Sequence, residues 1–228
     1  MQPTKTSGDT TMKVMLSVGT GPGIGFATAE RFAKEGFHVV LTARTAENVA
    51  NLAERLKADG YSAESRKLDA GDLAAVAELV AEVEQKHGKI DVLHYNAASL
   101  RQATLGEQAA DSLLSDLAVN IGGAMAAAKA AVPKMVERGD GAIFFTGGFF
   151  GLSPNPDFAS LSIGKAGVRN LALGLFESHK DKGVHVATVT VAAYVNAGSK
   201  EATEISEEYW KLYTQPKENW SAEVTYTG

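Results

Sequence analysis

The sequence predicts an α/β protein built on one doubly wound parallel sheet with helices on both faces. Three observations carry that expectation. Short β-branched or apolar runs alternate with longer stretches of helical spacing along the chain. Most of the short runs are apolar at successive positions, as strands covered on both faces should be. No Pro/Gly/Ser-rich linker and no internal repeat divides the 228 residues. Residues 12–228 therefore read as one domain, with a substrate loop and C-terminal helix from about 195, behind a polar tail over 1–11.

Taken in order, Val14–Val18 is the first strand, and a glycine-rich turn leads from it into a helix opening at Gly23. His38–Thr42 is the second strand, followed by a helix whose apolar stripe is Val49, Leu52, Ala53 and Leu56. Ser62–Leu68 (SAESRKL) is more polar and suits a strand near the sheet edge. Leu73, Val76, Leu79, Val80 and Val83 then fall on one helix face. Ile90–His94 is the fourth strand. Leu113, Leu114, Leu117, Ile121, Met125, Ala128 and Val132 mark a longer helix, with Pro133 close to its end. Ala142–Thr146 and Val184–Val191 are further strands. From about Ser199 the chain is Glu-rich, with Tyr209, Trp210, Tyr213 and Trp220, and reads as one amphipathic helix and a weakly structured end.

Composition narrows the function. The net charge is −5 and no polybasic run occurs, so neither nucleic acid nor an anionic membrane is an expected partner. The absence of cysteine excludes disulfides, thiolate metal sites and cysteine nucleophiles. The longest apolar runs fall far short of the roughly 20 residues that span a bilayer. The opening MQPTKTSGDTT has no apolar stretch behind a basic start and does not read as a signal peptide. A cytoplasmic protein is the expectation.

The chemistry begins at Gly19-Thr20-Gly21-Pro22-Gly23-Ile24-Gly25, where a strand turns into a helix. Glycines let bare main chain approach a pyrophosphate, and a helix N-terminus offers N–H groups and a positive dipole end. The pattern is G-x-x-x-G-x-G rather than G-x-G-x-x-G, because the sixth position counted from Gly19 or Gly21 is Ile24 or Phe26. Such a turn after the first strand of a βαβ series marks a Rossmann-type dinucleotide site. At the end of the second strand, VVLTAR places Arg44 where a carboxylate would bind a ribose 2′-hydroxyl. A guanidinium suits a 2′-phosphate instead, so NADP(H) is favoured over NAD(H).

With these residues in place the chain resembles the short-chain dehydrogenase/reductase family over nearly its whole length. Gly19–Gly25 is similar to that family's cofactor turn. The resemblance implies that Asp69 contacts adenine, and that Asn96-Ala97-Ala98 stands for the family's Asn-Ala-Gly element, with Ala98 in place of the glycine. It further implies that Asn120 and Lys165 are the asparagine and lysine of the catalytic set. The cofactor-binding set is then Gly19, Thr20, Gly21, Gly23, Ile24, Gly25, Arg44, Asp69, Asn96, Ala97, Ala98 and Lys165. The family's proton-donating tyrosine, four residues before the lysine, is here Leu161, and its serine falls on Gly148. The Pro-Gly after the sixth strand is replaced by Val191-Ala192-Ala193-Tyr194. Tyr194 is a possible substitute hydroxyl, although packing against the cofactor is its simpler reading. Ser160 and Ser162 flank Leu161 but point about 100° away from it. Tyr95 reads as packing. Only Ala222–Tyr226 can supply the family's seventh strand, and pairing through the helices at about Asp111–Glu137 and Ala159–Lys180 implies a homodimer or homotetramer.

Other chemistry is weaker. His38, His87, His94, His179 and His185 are scattered without pairing at metal spacing, so no metal is expected. No G-x-S-x-G elbow occurs. Phe149, Phe150 and Phe158 suggest an apolar wall for a small apolar substrate. The resulting expectation is an NADP(H)-dependent oxidoreductase acting on a small carbonyl, enone or alcohol with a degenerate active site. The alternative is a cofactor-binding sensor or partner subunit without turnover.

Overall fold

A computed structural model describes residues 12–228. The tail expected over residues 1–11 lies outside the described residues. Seven parallel strands form one sheet in the order β3-β2-β1-β4-β5-β6-β7. They are β1 (Val14–Val18), β2 (His38–Ala43), β3 (Ala63–Lys67), β4 (Val92–Tyr95), β5 (Gly141–Thr146), β6 (Val184–Val191) and β7 (Glu223–Tyr226). The polar third strand is indeed at an edge, and β7 forms the other. The reversal of strand order at β1 and β4 opens a crevice at their carboxyl ends.

Helices cover both faces. α1 (Ile24–Lys34), α2 (Ala46–Ala58) and α7 (Lys200–Thr214) bury Phe26, Phe32, Leu52, Ile205 and Tyr209 against Met15, Leu41 and Phe144. On the opposite face α3 (Leu73–His87), α5 (Gly123–Arg138) and α6 (Ala159–His179) pack Val76, Val80, Ala127 and Val168 onto Leu16, Leu93, Ile143 and Val186. β1 is buried at every position, with Val14, Leu16 and Val18 serving one core and Met15 the other, which explains a sequence that is apolar everywhere but at Ser17. Caps set two helix starts: Asp72 accepts from the Ala75 N–H at 3.0 Å, and Ser199 accepts from the Ala202 N–H at 3.2 Å. α3 ends at Gly88, whose φ of +83° is the left-handed conformation that glycine tolerates.

The expected single helix over Asp111–Glu137 is corrected. α4 (Ala110–Leu117) passes into a π turn over Ala118–Gly122 before α5 resumes. The wider turn frees main-chain groups that tertiary partners take up. The Tyr95 hydroxyl donates to the Val119 carbonyl at 2.6 Å, and the Asn120 side chain bonds both the N–H and the C=O of Ser99. Periodicity cannot register such a turn, because its partners come from the loop after β4.

The histidine expectation is also corrected. His38, at the start of β2, and His87, at the end of α3, lie with ring centroids 4.6 Å apart beside Glu64 of β3. The fold pairs residues that the sequence separates widely. Among the described residues no helix is long and apolar enough to cross a membrane.

Candidate active site

The glycine turn sits at the carboxyl end of β1, held by three hydrogen bonds to Thr42 and Asn96. Thr42 Oγ1 accepts from the Gly19 N–H at 3.2 Å, the Thr20 N–H donates to the Thr42 carbonyl at 2.6 Å, and Asn96 Nδ2 donates to the Gly19 carbonyl at 2.8 Å. Gly19 has φ +83°, and a Cβ there would lie 2.5 Å from the Ala97 main chain, so no other residue fits. A Cβ on Gly25 would press on Asn96 Nδ2 at 3.0 Å, whereas one on Gly21 would meet nothing within 4 Å. The main-chain N–H groups of Gly23, Ile24 and Gly25 have no hydrogen-bond partner among the described residues, at the N-terminus of α1. The turn is therefore open on one side and offers N–H donors there, which suits a diphosphate.

Around it stand the other expected binding residues. Arg44 is exposed at the end of β2, and Asp69 is exposed beyond β3, its Oδ1 accepting from the Gly71 N–H at 2.9 Å. Asn96, Ala97 and Ala98 follow β4 and are half-buried. The Asn96 amide joins two parts of the site, because its Oδ1 accepts from Thr146 Oγ1 at 2.9 Å while its Nδ2 holds Gly19.

At the end of β5 the side chains converge. Lys165 of α6 is buried, and its Nζ donates to the Thr146 carbonyl at 2.6 Å. Burial pushes the amine down to about 8. Gly148 faces this lysine: a Cβ there would stand 3.3 Å from Lys165 Cγ. Leu161, one helical turn earlier, is 6% exposed and carries no polar group. The sequence reading thus brings Gly148 and Lys165 together, with Leu161 on the same helix. Asn120 lies in the π turn, so close to α6 that a Cβ on Gly164 would meet Asn120 Cβ at 2.3 Å.

The residues weighed as substitutes stand as follows. Tyr194, just beyond β6, is 97% exposed. Ser160 and Ser162 are engaged structurally, donating to Asp116 Oδ2 at 3.0 Å and to the Asn155 carbonyl at 3.2 Å. Of the expected aromatic wall, Phe150 and Phe158 pair at 5.5 Å, but Phe149 is exposed.

Two features went unseen in the sequence. Asp116 is a buried hub accepting from Ser99, Arg101, Gln108 and Ser160. Burial raises its pKa, but the bonds from Arg101, Ser99 and Ser160 prevail and hold the carboxyl below its usual range. An acid in an amphipathic helix ordinarily signals only a solvated face. The second is Thr146, whose hydroxyl donates to Asn96 and is met by His94 Nε2 at 3.1 Å and the Tyr209 hydroxyl at 2.8 Å. Burial first, and Lys165 second, push the His94 imidazole down to about 3, so it stays neutral. A buried polar chain from α7 to Gly19 thereby fixes the turn. Its one sequence signal is the polar residues within otherwise apolar runs.

Comparison with known proteins extends the geometry. Residues 13–208 match the short chain dehydrogenase family. Dehydrogenase/reductase SDR family member 4 of Bos taurus is 34% identical over 177 residues, covering 73% of this chain and 62% of its own length. The matched region thus spans about six-tenths of that relative. An uncharacterized oxidoreductase of Staphylococcus aureus (strain USA300) is 29% identical over 225 residues, 94% of this chain and 96% of its own. A metagenomic short-chain oxidoreductase crystallised in complex with NADP superposes with a TM-score of 0.87 at 27% identity, covering 94% of this chain and 96% of the other. A short-chain dehydrogenase from Rhodopseudomonas palustris gives 0.86 at 25% identity, covering 95% and 98%. Strand order, glycine turn and sequence match agree, and the chain belongs to the short-chain dehydrogenase family.

Proposed function

We propose that this chain is an NADP(H)-dependent oxidoreductase with an altered proton-transfer site, acting on a small carbonyl, enone or alcohol. The observation that carries the proposal is the glycine turn, with three N–H groups at a helix N-terminus unpartnered among the described residues and a close approach only glycine permits. In this reading Gly23, Ile24 and Gly25 hold the pyrophosphate, Gly19, Thr20 and Gly21 shape the turn, and Arg44 takes the 2′-phosphate. Asp69 faces the adenine, and Asn96, Ala97 and Ala98 form the inner wall. Lys165 spends one donor on Thr146 and has two left for ribose hydroxyls. NADP bound in the crystallised metagenomic relative supports the assignment.

The bound nicotinamide supplies the hydride. What this chain lacks is a side-chain acid beside it, because Leu161 and Gly148 hold no hydroxyl. A positioned acid contributes roughly 10²–10⁴-fold, so an unactivated ketone is a poor substrate. A conjugated acceptor, which takes hydride at carbon and its proton later from water, is the least demanding. Asn120 is a positioning residue through Ser99 rather than a proton relay. A second reading, an NADP(H)-binding sensor or partner subunit without turnover, is favoured by the same Leu161 and Gly148. We further propose that residues 12–228 act as one domain and assemble as a homodimer or homotetramer through α5 and α6.

Fluorescence titration tests the shared claim: saturable NADPH binding that Gly19→Ala abolishes, and that Arg44→Ala weakens for NADPH far more than for NADH. Absence of binding at submillimolar NADPH overturns both readings. NADPH oxidation across a ketone and enone panel separates them. Turnover of an enone by the natural chain supports the enzyme. Activity that appears only after Leu161→Tyr with Gly148→Ser supports the sensor.

A further inference from the structure

We propose a zinc site formed by His38, Glu64 and His87 at the edge of the sheet, remote from the cofactor turn. One nitrogen of each histidine and a Glu64 carboxylate oxygen all lie within 4.8 Å of one another. His87 Nε2 stands 3.2 Å from Glu64 Oε1. That spacing is close to the edge of a tetrahedron around zinc, about 3.3 Å for bonds of about 2.0–2.1 Å.

The donors come from three elements that the fold locks together. β2 pairs with β3 so that Val40 stands beside Glu64, and His38, two residues earlier on β2, shares that face. This face packs under α3, whose last residue is His87. His38 is also prepared as a ligand. Its Nδ1 is 2.7 Å from Ser62 Oγ, while its Nε2 is buried without a hydrogen-bond partner among the described residues. A buried ring nitrogen left unpaired is unfavourable. With the proton on Nδ1 donated to Ser62, the lone pair is on Nε2, and a metal satisfies it. Neutral imidazoles with one carboxylate suit zinc rather than magnesium or calcium.

Glu64 also carries ion pairs with Lys86 and, at 3.2 Å, with Arg66. These cations occupy the carboxylate when no metal is bound, so they compete with zinc and set its affinity. The role that follows is a clasp joining edge strand β3 to β2 and α3. β2 spans six residues from His38 to Ala43 before Arg44, so roughly 20 Å separates the clasp from the cofactor end.

The test is calorimetric titration of the untagged, chelator-treated chain with zinc chloride, with melting temperature as a second readout. One equivalent should bind and raise the melting temperature. His87→Gln and His38→Gln should each weaken binding at least about tenfold. Lys86→Gln should tighten it several-fold by removing a competing cation, a gain that a merely structural role for the cluster does not predict. NADPH affinity should be the same with and without zinc. Cobalt substitution should give a visible four-coordinate band that His87→Gln removes. Should His38→Gln fail to fold, His87→Gln and Lys86→Gln decide. No saturable binding at millimolar zinc, or equal binding by the wild type and His87→Gln, overturns the proposal.

Discussion

A single amine shows how far one residue's environment matters. Lys165 Nζ is buried against the Thr146 carbonyl, and burial lowers its pKa from 10.5 to about 8. Below pH 8 the folded protein holds a charged, desolvated amine, which by the size of the shift costs about 3 kcal/mol relative to the unfolded chain. Between pH 8 and 10.5 the unfolded state binds more protons than the folded one, so this penalty fades as pH rises. Lys165→Met should therefore stabilise the cofactor-free chain by about 1–3 kcal/mol at pH 7, less the lost hydrogen bond. The gain should shrink steadily toward pH 10, as read from paired urea unfolding curves. A difference independent of pH would show that the amine is not desolvated. An amine kept in place at such a cost fits a group retained for a ligand. Leu161, Gly148 and Lys165 could be picked out in the sequence through the family resemblance, Leu161 by its distance from the lysine and Gly148 by its place after the fifth strand. The burial of the lysine was not, since no local pattern encodes it.

Among the elements, the break between α4 and α5 is the largest departure from the sequence expectation. The apolar stripe from Leu113 to Val132 runs through Asn120 without a fault, yet the helix widens there to let Asn120 hold Ser99 and Tyr95 reach Val119. α6 then closes on the widened turn so tightly that Gly164 is required. Gly164→Ala should destabilise the chain by at least about 1–3 kcal/mol through overpacking. Gly174→Ala, on the same helix with nothing within 4 Å, should instead stabilise it by about 0.5–1 kcal/mol. Denaturant midpoints of the two variants check the pair, and similar effects at both sites would refute the close-packing account.

For the whole molecule, two apolar faces were set by the strand sequences, and the helices close over both. A groove of about 870 Å³ lies on the outer side, lined by Leu73, Met125, Ala126, Val132, Leu171 and Leu175. Met125 is 53% exposed there, an unusual place for a large apolar side chain. If the chain assembles through α5 and α6, Met125→Arg should lower the mass seen by light scattering to that of the monomer while leaving the helix content unchanged. An unaltered mass would place the interface elsewhere. By itself the sequence determined the strand–helix alternation, the covered sheet and the glycine turn, because period and turn chemistry are local properties. Only the tertiary structure decided the π turn at Asn120, the Asp116 and Thr146 hubs and the meeting of His38, Glu64 and His87. Each of these joins residues far apart in the chain through strand order and helix packing, and no local pattern carries that information.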